Sequence, residues 1–371
     1  MEDAFEELLG KIEMGDRVLV AFSGYGISLP MEGRTVDFLC CADAKVWEQQ
    51  EAFVRRQREQ ETMKRILLLI MLAMTTQPVL AETYTEEWTD AARKRTVPVR
   101  VYLPDAKPTE RCPIVLLSHG LGGSRDGFPY LGEYWSKEGY IVIVMQHSGS
   151  DRESIARRPG RTVVGSMNEA INAENAQARV ADVKFVLDEL ARRMETDDKL
   201  KGRLDLEKIA LGGHSFGAHT VLSVAGRVPF EPESRIKAAI AMSPSLPTNI
   251  NAAALLHRIK MPMLHMTGTK DDSPIRPELK PSDRRVPFDN INAPGQYLVI
   301  FNEGNHMLFS GHARPLGLSR MEQEYQPVIQ ELTLKFLDAT LRQDTKAQEW
   351  LNGSGSTELL GNRATFEKKN W

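Results

Sequence analysis

The chain has 371 residues, a length that suits two or three small domains or one larger α/β domain with appendages. Lys and Arg total 47 against 50 Asp and Glu, a net charge of −3, with 42% hydrophobic and 26% charged residues; this balance is that of a globular protein and argues against a collagen, a long coiled coil or a wholly disordered chain. Without a basic excess there is no footprint for nucleic acid, and Cys40, Cys41 and Cys112 offer neither a disulfide framework nor paired CxxC spacing for zinc.

Taken in chain order, Asp16 to Phe22 (DRVLVAF) is an apolar run bounded by Ser23-Gly24 and Gly26, which reads as a buried strand entering a loop. Residues 50 to 65, with Arg55, Arg56, Arg58, Glu59 and Glu61, read as a solvated helix. The stretch DRVLVAFSGYGISL with FLCCADA after it, within residues 16–44, resembles a short piece of a caspase-like peptidase domain. In that family the residue between the two glycines is the catalytic His; here it is Tyr25, and no downstream segment supplies a cysteine nucleophile. The resemblance therefore implies a fragment without peptidase chemistry, and residues 1–62 are too few to bury a convincing core.

Met63-Lys64-Arg65, the unbroken apolar run Ile66 to Met74, and Val79-Leu80-Ala81 follow the order basic n-region, apolar h-region, small-residue cleavage site. The apolar run is about half of the ~20 residues a bilayer-spanning helix needs. Residues 63–81 are accordingly expected to act as a signal peptide, with Met63 the effective start, cleavage after Ala81 and a secreted or periplasmic product. Translation from Met1 would instead leave the protein cytoplasmic or membrane-associated.

From Glu82 onward, short apolar strands alternate with amphipathic helices, the pattern of a mostly parallel sheet with helices on both faces. Strands are expected at 97–102, 114–118, 141–145, 208–212, 238–242, 263–267 and 297–301. Helices are expected at about 132–139, 173–193, 218–224 and 320–342. Residues 148–172, with Arg152, Arg157, Arg158 and Arg161, read as a long polar insertion between strand and helix, a solvated loop first and a lid or leaving-group site as the alternative.

Gly213-His214-Ser215-Phe216-Gly217 joins an expected strand to an expected helix. G-x-S-x-G in that context is a nucleophile elbow, with Ser215 at the turn and the Phe216 N–H at the helix start facing a developing oxyanion. His119-Gly120-Leu121-Gly122-Gly123 follows another strand, and the Leu121 N–H is the second oxyanion donor. A serine needs a base, and the base a carboxylate; in chain order these follow the serine. Asp271, with Asp272 its neighbour and rival, leaves the strand 263–267. His306 follows the strand 297–301, with His312 the only other histidine after the acid. Gly120, His214 and Met307 are expected in the substrate pocket, and Leu121, Phe128, Tyr130, Phe216, Met307 and Phe309 are candidates for an apolar acyl wall, each with ordinary core packing as the alternative. His265 is expected to be a neutral core histidine and His119 to support the oxyanion loop, while His147 and His257 have no chemical neighbour in sequence.

The set PIVLLSHGLGGS, ADVKFVLDEL, GGHSFGAHT, GTKDDSPI, RRVPFDNI and NHMLFSGH resembles the α/β-hydrolase superfamily, in particular secreted serine esterases similar to platelet-activating-factor acetylhydrolase and dienelactone-hydrolase-like proteins. The resemblance runs from about Arg93 to the C-terminal tail. It implies the α/β-hydrolase fold, a triad of Ser215, Asp271 and His306, and carboxylester hydrolysis with no metal and no cofactor. Dienelactone hydrolases proper carry cysteine at the elbow, so Ser215 argues against that activity. The expected partner is a small-molecule or lipid-like ester, with no obligatory protein partner. A peptidase or amidase on the same fold, or a catalytically silent binding protein, are the alternatives.

Overall fold

The structure, a computed structural model, describes residues 27–31, 34–38, 82–105, 111–156, 162–247, 250–311 and 319–369. The expected strand at 16–22, the helix at 50–65, the signal-like segment at 63–81 and His312 lie outside them. The chain falls into two compact units, Met1–Val79 and Leu80–Trp371. In the first, β1 (Ile27–Met31) pairs antiparallel with β2 (Arg34–Phe38), Met31 opposite Arg34.

In the second unit the described strands are β3 (Thr83–Asp90), β4 (Arg95–Tyr102), β5 (Cys112–Ser118), β6 (Ile141–Met145), β7 (Leu204–His214), β8 (Ile236–Met242), β9 (Met263–Lys270), β10 (Gln296–Asn305) and β11 (Ala364–Lys369). They form a 9-stranded sheet in the order β11-β10-β9-β8-β7-β5-β6-β4-β3. From β6 to β10 the neighbours run parallel, and the sheet is closed at both margins by antiparallel pairs. The chain has the mostly parallel α/β architecture that its alternating pattern predicts.

The inner strands read as continuous apolar runs because both faces are covered. Along β5, Ile114 and Leu116 enter one core, together with Val183, Leu187 and Leu190 of α4 (Ala173–Thr196). Val115 and Leu117 enter the other, with Leu131 and Trp135 of α1 (Pro129–Lys137) and with Ile329, Leu332 and Phe336 of α8 (Arg320–Leu341). Each of these buried aliphatic side chains is worth about 1.5–3 kcal/mol over its exposed state.

Two expectations need correction. Residues 148–172 are not a plain loop: α2 (Arg152–Ala156) and α3 (Val163–Ala170) occupy much of them. The Thr162 side chain accepts from the Gly165 N–H at 3.1 Å and starts α3, and Asn172 does the same for α4 at 2.8 Å through the Asn175 N–H, each meeting one of the orphan donors of a first turn. The edge strands β3 and β11 were not expected. Of β3 only Trp88 is buried, and β11 reads ATFEKK with only Ala364 buried. A half-exposed edge carrying charges has the composition of a loop.

Beyond β7 come α5 (Phe216–Val224), α6 (Ala252–Leu256), a 3-10 turn (Pro281–Arg285) and α7 (Val286–Asn290), and the chain ends with α9 (Thr345–Asn352) and α10 (Gly355–Leu360) before β11. Among the described residues no helix is long and apolar enough to cross a membrane, and no group of three or more His, Cys, Asp or Glu could hold a metal ion.

Candidate active site

Ser215 stands between β7 and α5 with φ 55 and ψ −114, a conformation that costs a non-glycine residue about 1–3 kcal/mol. It is held there by its N–H bonding to the Met242 carbonyl at 2.9 Å and its carbonyl accepting from the His219 N–H at 3.0 Å. The flanking glycines serve a different purpose from the turn itself. A Cβ on Gly217 would lie 1.9 Å from the Ser118 carbonyl oxygen, and one on Gly213 would lie 2.6 Å from the Gly217 backbone. They let helix and strands close in, while Ser215 alone carries the strained turn.

The positions of Asp271 and His306 follow from strand register. β10 runs parallel to β9 with Phe301 opposite Gly268, then shifts so that Asn305 faces Lys270. This bulge brings the backbones so close that a Cβ on Gly268 would lie 2.1 Å from the Gly304 carbonyl. The next residue on each strand is Asp271 and His306. His306 Nδ1 is 2.7 Å from Asp271 Oδ1, and its Nε2 is 2.9 Å from Ser215 Oγ. An ionised carboxylate only accepts, so Nδ1 carries the proton and Nε2 is free to accept from the serine hydroxyl. Asp272 is exposed and makes no such contact among the described residues, so Asp271 is the carboxylate brought to His306.

Asp271 is fully buried. Burial pushes its carboxyl up, but the hydrogen bond from His306 and the charge of Arg284 outweigh that and hold it below the usual range. Thr267 Oγ1 donates to Oδ2 at 2.8 Å, and Arg284 Nε lies 3.3 Å from Oδ1. Arg284 Nη2 also comes within 3.2 Å of His306 Nδ1; with that proton given to Asp271, this is an approach of two donors rather than a hydrogen bond. Sequence reading missed Arg284, whose only signal was its place in RRVPFDNI. His214 is buried and neutral, pushed down to about 3 by burial and then by the charge of His306. Its Nε2–H donates to the His306 carbonyl at 2.7 Å, so it braces the loop that carries the imidazole.

The loop after β5 is fixed from behind. His119 Nδ1–H donates to the Gly120 carbonyl at 2.6 Å, and His119 Nε2 accepts the His147 N–H at 2.9 Å, which gives His119 the loop-supporting place expected for it. His147, which has no chemical neighbour in sequence, finds two partners distant in the chain: its Nδ1 bonds Asp182 at 3.0 Å and its Nε2 accepts from Ser118 Oγ at 3.0 Å. Arg95 grips Asp182 with two bonds at 2.7 and 2.8 Å. Arg179, fully buried, donates to the His119 carbonyl, to Ser150 Oγ at 2.9 Å and to Thr220 Oγ1 at 3.0 Å, and its guanidinium lies 4.6 Å from the centre of the Phe216 ring. It thereby ties the glycine loop to the first turns of α5. The Leu121 and Phe216 N–H groups have no hydrogen-bond partner among the described residues, and both residues line the cavity that contains Ser215. His265 is a buried core histidine bonded to Gln296 at 3.2 Å and held at about 4, chiefly by burial, and His257 sits on the surface against the Ala254 carbonyl.

The cavity has a volume of about 450 Å³ and is lined by Gly120, Leu121, His214, Phe216 and Met307, among others. Phe128, Tyr130 and Phe309 do not line it. Phe128 and Phe309 are core residues, and Tyr130 packs against the same cluster; all three follow active loops in sequence but turn under them. Ile171, Leu246, Pro229 and Phe230, which sequence reading did not select, complete the apolar wall.

A family model described as alpha/beta hydrolase fold matches residues 113–274. Platelet-activating factor acetylhydrolases are among the curated relatives. That of Cavia porcellus is 25% identical over 37% of this chain and 36% of its own length, and that of Canis lupus familiaris is 25% identical over 44% and 42%. The match thus spans less than half the length of these relatives. Among solved structures, a ferulic acid esterase from Streptomyces cinnamoneus aligns over 79% of this chain and 98% of its own, with a TM-score of 0.54 at 19% identity. In architecture, and in sequence through residues 113–274, this chain is an α/β-hydrolase-fold protein that resembles the esterases of that superfamily.

Proposed function

We propose that the protein is a serine hydrolase that cleaves carboxylic esters through an acyl-enzyme, with Ser215 as nucleophile, His306 as general base and then acid, and Asp271 as the orienting carboxylate. The observation that carries this reading is the continuous line from Ser215 Oγ through His306 at 2.9 Å to Asp271 at 2.7 Å. His306 Nε2 takes the hydroxyl proton as Oγ attacks the ester carbonyl, and Asp271 stays ionised and stabilises the imidazolium. The Phe216 and Leu121 N–H groups receive the oxyanion. The imidazolium then protonates the departing alcohol, and a water activated by the same nitrogen releases the acid. None of these steps calls on a metal or an organic cofactor.

The test is hydrolysis of short p-nitrophenyl esters, with a p-nitroanilide of the same acyl group alongside. Wild-type turnover of the esters, lost in Ser215→Ala at unchanged Tm, is the expected result. Retained turnover in Ser215→Ala removes the serine from the chemistry, and faster cleavage of the anilide makes the protein an amidase. The reading extends to location: Met63 to Ala81 would direct export, and N-terminal sequencing of secreted material should begin at or near Glu82. Recovery of intact cytoplasmic chain starting at Met1 would refute it.

A further inference from the structure

Three arginines, Arg227, Arg276 and Arg284, line the cavity, and no Asp or Glu is among its described lining residues. Two of the three have carboxylates elsewhere: Arg276 Nε reaches Glu278 at 2.9 Å and Arg284 reaches Asp271 at 3.3 Å. Arg227 has none among the described residues. It is only 8% exposed, its Nη2 donates to Ser223 Oγ at 3.2 Å, and its Nε has no hydrogen-bond partner among the described residues. The ring of Phe230 lies 6.0 Å from its guanidinium carbon. Burial lowers its pKa with no opposing carboxylate, yet a guanidinium stays protonated in a protein. Burying a cation without a counter-charge is costly, and such a group at the wall of a largely apolar pocket is a preformed receptor for an anion.

We propose that Arg227 binds a carboxylate of the substrate, so that the pocket selects esters bearing a second, anionic end; this rests on the esterase reading of Ser215. The reach can be read from α5. Arg227 folds back to Ser223, and Ser215, His219 and Ser223 are spaced four residues apart on one face of the helix. At 1.5 Å per residue Ser223, which the guanidinium bonds, stands about 12 Å along the axis from Ser215. An extended chain of about six carbons fills that interval once a guanidinium–carboxylate contact of about 3 Å and a serine–carbonyl approach of about 3 Å are included. His219, between the two and lining the same cavity, is pushed down to about 3 by burial and then by the charge of Arg227. It is therefore neutral, and Arg227 is, of the arginines lining the cavity, the one without a carboxylate among the described residues.

The experiment compares matched pairs of esters that differ only in charge. One pair is mono-4-nitrophenyl adipate and its methyl ester, with the charge on the acyl side. The other is the acetate of 6-hydroxyhexanoate and its methyl ester, with the charge on the alcohol side. In at least one pair, wild-type kcat/KM should favour the anionic member by about 10- to 100-fold, mainly through KM, and the preference should shrink with added salt. Arg227→Met should collapse that ratio to about one or below, and Arg227→Lys should retain part of it. No anionic preference in either pair, or a ratio unchanged in Arg227→Met, overturns the proposal. If wild-type protein hydrolyses none of the four esters, the esterase reading fails by itself. Calorimetric binding of monomethyl adipate against dimethyl adipate to Ser215→Ala then decides the anion site alone: tighter binding of the anion supports it and equal or weaker binding overturns it. Should Arg227→Met not fold, the wild-type ratios, their salt dependence and the Arg227→Lys variant give the same decision.

Discussion

Asp271 and His306 each stand one residue beyond a paired position, Lys270 opposite Asn305 on neighbouring parallel strands, and their side chains meet at 2.7 Å. Register therefore brings the Asp271 carboxylate to the His306 imidazole, while Asp272 is exposed and makes no such contact among the described residues. Asp271→Asn is expected to lower kcat on p-nitrophenyl butyrate by about 10⁴-fold, because an amide no longer fixes the imidazole tautomer. Asp272→Asn should stay close to wild type. A full rate in the first variant, or a comparable loss in the second, would move the acid off Asp271.

The strand-turn-helix frame of this site was legible in the sequence because it rests on short-range signals. The buried strands are continuous apolar runs, and GGHSFG and HGLGG sit where strands end. What the sequence did not show depends on distant pairs. The charge of Arg284 meets Asp271 only through the fold, and the partnership of His147 with Asp182 spans 35 residues. Strand β10 was expected to stop at 301; it continues to Asn305 because a bulge against Gly268 lets the chain re-pair, and no local composition announces that. Of the aromatic candidates Phe216 lines the cavity, while the others take the alternative of core packing for a related reason. Phe128 and Phe309 are adjacent to the active loops in sequence, but their direction is set by the core beneath, which buries both.

The elbow's glycines give a sharper test of what G-x-S-x-G requires. A methyl group on Gly217 would sit 1.9 Å from the Ser118 carbonyl oxygen, a backbone atom that cannot swing aside. Gly217→Ala should lower Tm by about 6 °C or more, as a domain of this size loses about 2–4 °C for each kcal/mol, or yield no folded protein. Gly361→Ala is the control. Gly361 has φ 55 and ψ −127 but open space around it, so only backbone strain of about 1–3 kcal/mol, as at Ser215, is added. Equal Tm losses in the two variants would show that turn conformation, and not close packing, is what the motif protects.

Acid lability should begin well above the range in which carboxylates titrate. Burial is the main cause that holds His147 at about 4, His214 at about 3 and His265 at about 4, against 6.5 when exposed. Between those values the unfolded chain binds protons that the folded chain does not. The stability these groups contribute is therefore complete above pH 6.5 and is lost progressively as pH falls toward 4 and 3. Each can contribute up to about 1.4 kcal/mol per pH unit in that window. Asp271 and Asp182 are buried carboxylates with lowered pKa, held there by hydrogen bonds and positive neighbours that outweigh burial. They add a second loss as pH falls through and below the usual carboxylate range. Chemical denaturation at pH 7, 6 and 5 should show unfolding free energy falling at each step, and a flat profile over that interval would contradict the neutral, buried state of these histidines.

Arg179 joins the two elements that carry the proposed oxyanion donors. Its guanidinium holds the His119 carbonyl on the glycine loop and Thr220 on α5, while its central carbon lies 4.6 Å from the Phe216 ring centre. Among the described residues it makes no hydrogen bond to Ser215 or His306, so its effect on catalysis would be through the placing of Leu121 and Phe216. A displacement of about 1 Å in such a site costs about 100-fold in rate. Arg179→Met keeps much of the side-chain bulk but leaves the His119 carbonyl and two hydroxyls without their donor, which should also cost about 1–3 kcal/mol for each group left unsatisfied. The two effects separate when kcat is measured well below the variant's Tm. A fall of about 100-fold in kcat with KM little changed identifies a residue that positions the oxyanion donors. A lowered Tm with kcat intact would make Arg179 a purely structural tie.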